Sequence, residues 1–177
     1  DANARSYIHR LLGSGLVASA RDQLFHFWLG TGANGKSVLA SVVEQTLGPL
    51  CSFLPSSLFM HNSDPSANKF SLSRAQDCRL LFSSEVPGGG RLAEWRVKEL
   101  TGGDSVVVEE KGQRQQQIVL KSTTIMLVND IPQISDHSTS MRRRLRVVPF
   151  TQSFDSNPDL GLVEKLVEER EGVLLWL

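Results

Sequence analysis

The chain has 177 residues, 40% of them hydrophobic, enough for one globular domain with a real core, and its expected organisation is a single domain over residues 1–177. Nineteen Lys and Arg balance nineteen Asp and Glu, so bulk charge announces no nucleic-acid partner, although a local basic patch would suffice for one. No apolar run is long enough to cross a membrane, no signal peptide opens the chain, and Cys51 and Cys78 stand in no metal-spaced cluster. The expected setting is therefore reduced and cytoplasmic, with no membrane partner. The abrupt start and end suit a piece of a longer protein.

Residues 4–12 have helical spacing and are expected to stop at Gly13. Leu24 to Leu29 is a short apolar run that reads as a buried strand, and "GTGANGKS" follows it at once. From Val38, apolar residues recur at helical spacing until Gly48-Pro49. Cys51–Leu54 reads as a short strand, "HNSDPSAN" (61–68) as a loop and the expected mobile segment, and "RLLFSS" (79–84) as a buried strand ending at Glu85. A helix over Leu92–Leu100 should stop at Gly102-Gly103. Two alternating stretches, Ser105–Glu110 and Gln115–Leu120, flank "KGQR" and predict a β-hairpin. Thr123–Val128 and Leu145–Phe150 are further strands, and Pro158 opens a last amphipathic helix. Strands alternating with helices predict an α/β fold with a parallel sheet covered on both faces.

Gly30, Gly35, Lys36 and Ser37 satisfy the G-x-x-x-x-G-K-[ST] pattern between a strand and a helix. Glycines let backbone N–H groups approach an anion, and the first turn of the helix offers unpaired N–H groups and the positive end of its dipole. Lys36 would reach the β- and γ-phosphates, and the Ser37 hydroxyl would ligate Mg²⁺. A glycine-rich turn could match by accident, but the four fixed positions do so on the order of once in a hundred chains this size. The expected ligand is a nucleoside triphosphate. Glu85 and Asn129 each end an apolar strand, where ligands of open α/β sheets bind. An acid there holds the metal shell or activates water, and an amide orients that water at the γ-phosphate. Either alone could be an ordinary solvated strand end; the two together favour a site. The arginines of "MRRRLRVVPF" could likewise be a solvated surface, and alternation in the strand makes one of them structural. Trp28, Trp95 and Trp176 read as core or packing residues, and the four histidines show no metal-ligand spacing.

In order, "GTGANGKS", "RLLFSSE", "KELTGGD", "IMLVNDIP" and "MRRRLRVVPF" resemble the helicase domain of the superfamily-three primase-helicases of phages, plasmids and large DNA viruses, which is similar to AAA+ ATPases. The resemblance runs from about Tyr7 to the C-terminus. It implies a P-loop NTPase (AAA+-like) three-layer sandwich with a central, mainly parallel sheet and an inserted β-hairpin. It also implies an ATP- and Mg²⁺-dependent DNA helicase acting in replication, assembled as a homo-oligomeric ring, expected to be a hexamer, around single-stranded DNA. Residue by residue, Gly30, Thr31, Gly32, Ala33, Asn34, Gly35, Lys36, Ser37 and Val38 would hold the triphosphate. Ser37 and Glu85 would serve the Mg²⁺, with Glu85 as the Walker B acid and Asn129 as the sensor amide. Lys98, Lys111 and Arg114 would contact DNA. Arg144 is the first choice and Arg143 the second for an arginine finger serving a neighbouring subunit. Ser84 departs from the pattern, since a second acid often stands there, and that puts more weight on Glu85. Two other readings are a P-loop kinase and a non-catalytic DNA-binding module stabilised by nucleotide.

Overall fold

The computed structural model describes residues 2–17, 22–61, 69, 71–84, 90–109 and 115–177. Five strands form one parallel sheet: β1 (Phe25–Leu29), β2 (Cys51–Leu54), β3 (Leu80–Ser83), β6 (Thr123–Val128) and β7 (Leu145–Pro149), in the spatial order β2-β3-β6-β1-β7. β4 (Ser105–Val108) and β5 (Gln116–Val119) pair antiparallel as the expected hairpin.

The apolar runs sort into two cores because neighbouring residues in a strand face opposite ways. Phe25 and Phe27 of β1, Leu81 of β3 and Met126 and Val128 of β6 enter one cluster with Phe59, Leu92 and the buried hairpin residues Val106, Val108 and Ile118. Trp28, Leu80, Phe82, Ile125 and Leu127 point the other way, onto Leu11 and Leu12 of α1 (Ala2–Leu16) and Ala40, Val43 and Leu47 of α2 (Lys36–Leu47). The helix α3 (Glu94–Gly102) lies with the hairpin on the first face, contributing Val97 and Leu100. The result is a three-layer P-loop NTPase fold with the hairpin inserted between α3 and β6.

Several expectations are corrected. α1 does not stop at Gly13 but runs through Gly13 and Gly15 to Leu16. A Cβ on Gly15 would stand 2.2 Å from the Leu80 side chain, so this glycine serves close helix–sheet packing rather than termination. β7 is an edge strand ending in Pro149, which lacks a donor N–H. Its Val147 is 46% exposed instead of covered, and Val148 supplies the buried contact. The terminal amphipathic helix is two short ones, α5 (Leu162–Glu168) and α6 (Arg170–Trp176), neither holding a buried residue. Both pack against α2. Only Trp28 is a core tryptophan: Trp95 is 53% exposed with the Arg96 guanidinium 4.3 Å from its ring, and Trp176 stacks on His9 at 4.6 Å. Most of the 61–68 loop lies outside the described residues. Cys51 and Cys78 are free and buried, and burial pushes the Cys51 thiol up to about 12. Among the described residues, no helix is long and apolar enough to cross a membrane.

His26 gives the fold a pH dependence. Its ring is 1% exposed and bonded to the Tyr7 hydroxyl at 3.0 Å. Burial pushes its pKa from 6.5 to about 4; the Arg146 charge adds to that shift, and the Thr124 backbone opposes it. Between those values the unfolded chain binds the proton and the folded chain does not, so stability falls as pH drops through that window. The gap is worth about 3 kcal/mol. In urea titrations, the wild type should lose about that much more stability than His26→Gln between pH 7 and pH 4; parallel losses would refute the assignment.

Candidate nucleotide site and basic surfaces

β1 delivers the chain to the phosphate loop at the carboxyl edge of the sheet. Gly30 N–H donates to the Val128 carbonyl at 3.1 Å, and Phe150 N–H donates to the Leu29 carbonyl at 2.7 Å, so both neighbouring strands hold the loop's start. A Cβ on Gly30 would stand 2.2 Å from Asn34 Nδ2 and 2.6 Å from Phe150 O, a space only glycine fits. Gly35, at φ 83°, is the N-cap of α2 and brings no side chain of its own; the Lys36 N–H donates to Asn34 Oδ1 at 3.5 Å, and the start of a helix is a favourable place for an anion.

The Lys36 side chain turns back into this loop and is buried. Its Nζ donates to the Gly30 carbonyl, to Asn34 Oδ1 at 3.1 Å and to Asn129 Oδ1 at 3.3 Å. These oxygens hold the ammonium beside the glycine-rich loop, where it can donate a charge-assisted hydrogen bond to a phosphate. Gly32, Ala33, Asn34, Gly35, Lys36, Ser37 and Val38 line a cavity of about 500 Å³ together with Ser41, Phe53, Ser84, Leu127 and Asn129. Gly30 and Thr31 do not line it. Loop, β3 end and β6 end thus meet at one place, as the strand-end reading of Asn129 expects.

The lining brings hydroxyls of Ser37, Ser41 and Ser84 and amides of Asn34 and Asn129 to the cavity, hard oxygen donors of the kind Mg²⁺ takes together with phosphate oxygens. Glu85 lies outside the described residues, one position beyond Ser84. No group of three His, Cys, Asp or Glu side chains is gathered for a metal among the described residues.

A second groove, of about 250 Å³, shares Asn34 with the first. Arg5 and Ile8 of α1, Leu39 of α2 and the segment Phe150–Gln152 line it with Phe154. Phe154 N–H donates to the Ala33 carbonyl at 2.8 Å, which ties the chain after β7 to the phosphate loop. Nothing in the local sequence signals this contact, because its partners are 121 positions apart (154 minus 33).

The arginines separate by burial. Arg144 is 7% exposed; its Nε donates to Thr101 Oγ1 at 3.1 Å and its Nη1 to Ser140 O and Oγ, each at 2.8 Å. Arg143 is exposed, with its Nη2 on Gln23 Oε1 at 3.0 Å. Arg144 is therefore the buried, internally bonded arginine of the cluster, and of the two finger candidates Arg143 is the exposed one. Both precede Leu145, which pairs with Phe25 at the opposite end of β1 from Gly30. Five strand residues put the arginines roughly 16 Å from the phosphate loop of their own chain. Lys98 on α3 is ion-paired with Asp136, whose carboxyl that ammonium holds well below its ordinary pKa. Lys111 and Arg114 lie outside the described residues.

One family model matches residues 28–144, a span that opens at Trp28 just before the phosphate loop and closes at Arg144; it describes a family of unknown function (DUF5906). The chain belongs to this family. Three curated relatives of the DUF5906 chain come from large DNA viruses. It is 27% identical over 155 residues to "Putative helicase L207/L206" of Acanthamoeba polyphaga mimivirus, covering 87% of the chain and 16% of the relative. It is 30% identical over 156 residues to "Putative helicase 184R" of Invertebrate iridescent virus 6, covering 84% and 16%. It is 27% identical over 182 residues to "Putative primase C962R" of African swine fever virus (strain Badajoz 1971 Vero-adapted), covering 91% and 17%. The chain thus spans about a sixth of the length of these relatives. Among solved structures, the NrS-1 C-terminal region aligns with a TM-score of 0.71 at 14% identity, covering 96% of this chain and 40% of that one. JCV Helicase aligns with a TM-score of 0.65 at 16% identity, covering 97% and 48%. These likenesses agree with the superfamily-three helicase domain that the motif order resembles.

Proposed function

We propose that this domain is an ATP-driven DNA helicase or translocase module of a replication protein, with an ATP site completed by a neighbouring subunit. The observation that carries the reading is the meeting of Lys36 and Asn129 in one cavity at the carboxyl edge of the sheet. In this reading the first turn of α2 and Lys36 hold the β- and γ-phosphates, and the neighbouring groove takes the base and ribose. A magnesium ion, when bound, supplies positive charge to the phosphate oxygens, and Ser37 and Glu85 would hold it. Glu85 accepts the proton of the attacking water, and Asn129 orients that water. Arg143, remote from its own phosphate loop, stabilises the charge developing in a neighbour's site. A shared site calls for an assembly of like chains, and the resemblance implies that it is a closed ring with six subunits as the expected number.

The relatives' names support helicase over kinase, and the hairpin is the element proposed to grip single-stranded DNA, with Lys111 and Arg114, which fall in sequence between β4 and β5, and Lys98 on α3 as the candidate contacts. Phosphate release should therefore need no small acceptor and should rise when single-stranded DNA is added. Acceptor-dependent transfer would mean a kinase, and nucleotide binding without turnover would mean a non-catalytic module. Lys111→Ala with Arg114→Ala should weaken DNA binding without base preference and flatten the slope of log affinity against log salt by roughly 0.7 per contact. DNA-free turnover should survive; an unchanged salt slope would place the DNA surface elsewhere.

A further inference from the structure

α3 leads through Gly102, Gly103 and Asp104 into the hairpin, and it is fastened along its length to the segment 135–144 that carries the arginines. At its start, Glu94 Oε1 accepts the N–H groups of Ser135 at 2.6 Å and Asp136 at 3.1 Å. One turn on, Lys98 pairs with Asp136. At its end, Thr101 Oγ1 donates to the Val97 carbonyl at 2.6 Å and accepts Arg144 Nε at 3.1 Å. Arg144 and Thr101 are both buried. The same Arg144 closes the turn of the short helix α4 (Thr139–Arg142) through Ser140, and its carbonyl accepts the Phe25 N–H at 2.8 Å, where β1 sets out for the phosphate loop. A guanidinium is planar, always charged and fixed in its bonding directions, and a buried one cannot drop a partner without leaving an N–H unpaired. Elements joined this way shift together.

We propose that Arg144 and Thr101 form a joint that couples the arginine turn, and Arg143 on it, to the DNA hairpin. Arg144 is then a positioning residue: it sets where Arg143 meets the neighbour's nucleotide, and Thr101 makes that position depend on the hairpin. The proposal rests on the helicase reading above and adds to it the path by which DNA at the hairpin changes the rate of hydrolysis.

Thr101→Val removes the acceptor oxygen and keeps the shape; Thr101→Ser keeps the hydroxyl. In the full chain, four quantities are measured for both: nucleotide affinity, single-stranded DNA affinity, DNA-free turnover and the factor by which DNA raises turnover. Thr101→Val should leave the first three near wild type and cut the stimulation factor by about fivefold or more, the low end for coupling between sites. Thr101→Ser should restore it. Ser140→Ala, which loosens Arg144 from its other side, should lower the factor too and stands in if Thr101→Val does not fold. An unchanged factor in the folded variant overturns the joint, and so does a proportional loss of DNA-free and DNA-stimulated rates. A wild type that hydrolyses ATP without any response to DNA instead overturns the helicase reading on which the joint rests.

Discussion

Lys36→Ala should abolish ATP turnover and weaken triphosphate binding about a hundredfold, the loss of one charge-assisted phosphate contact worth ~3 kcal/mol. The fold should survive, because Lys36 bonds to loop and strand-end oxygens and does not hold the two cores together. Isothermal titration with a non-hydrolysable triphosphate and a phosphate-release assay measure the two effects. Turnover near the wild-type rate would refute the phosphate-loop assignment. Glu85→Gln should separate the steps: the amide keeps the shape but cannot take a proton, so binding persists while hydrolysis falls at least about a hundredfold.

Arg143→Ala should bind nucleotide normally and hydrolyse it about 10³-fold or more slowly, the range for an arginine acting in trans. Arg144→Ala should behave differently. It empties a buried position and leaves the Thr101 hydroxyl and the Ser140 carbonyl without their donor, at a cost of about 2 kcal/mol in stability visible by urea denaturation. Mixing Lys36→Ala with Arg143→Ala chains should recover part of the activity, because some interfaces then join an intact loop to an intact arginine. A normal rate for Arg143→Ala would leave that side chain a surface role only.

Much of the candidate nucleotide site was legible because its signals are local. The glycines, Lys36 and Ser37 sit in one octapeptide, and Thr123–Val128 was bounded correctly because a fully buried strand reads as an unbroken apolar run ending in a polar residue. The roles of the arginines were less legible. That Arg144 and not Arg143 turns inward depends on Thr101, 43 positions away, and alternation along β7 could say only that one of them would be structural. The same limit hid the groove at Phe154, and it hid the run of α1 through Gly13 and Gly15, where helix breakers in sequence terms are packing contacts in space. β7 was expected to be covered because its residues are apolar, but an edge position leaves Val147 open.

The central claim is a nucleotide site shared between subunits. It is tested most directly by measuring wild-type ATP turnover per chain across a dilution series, with the mass of the assembly determined at each concentration by analytical ultracentrifugation. Turnover per chain should fall steeply as the assembly dissociates, since a lone chain holds its own phosphate loop roughly 16 Å from its own Arg143. A chain shown to be monomeric that hydrolyses ATP at an unchanged specific rate would contradict the account.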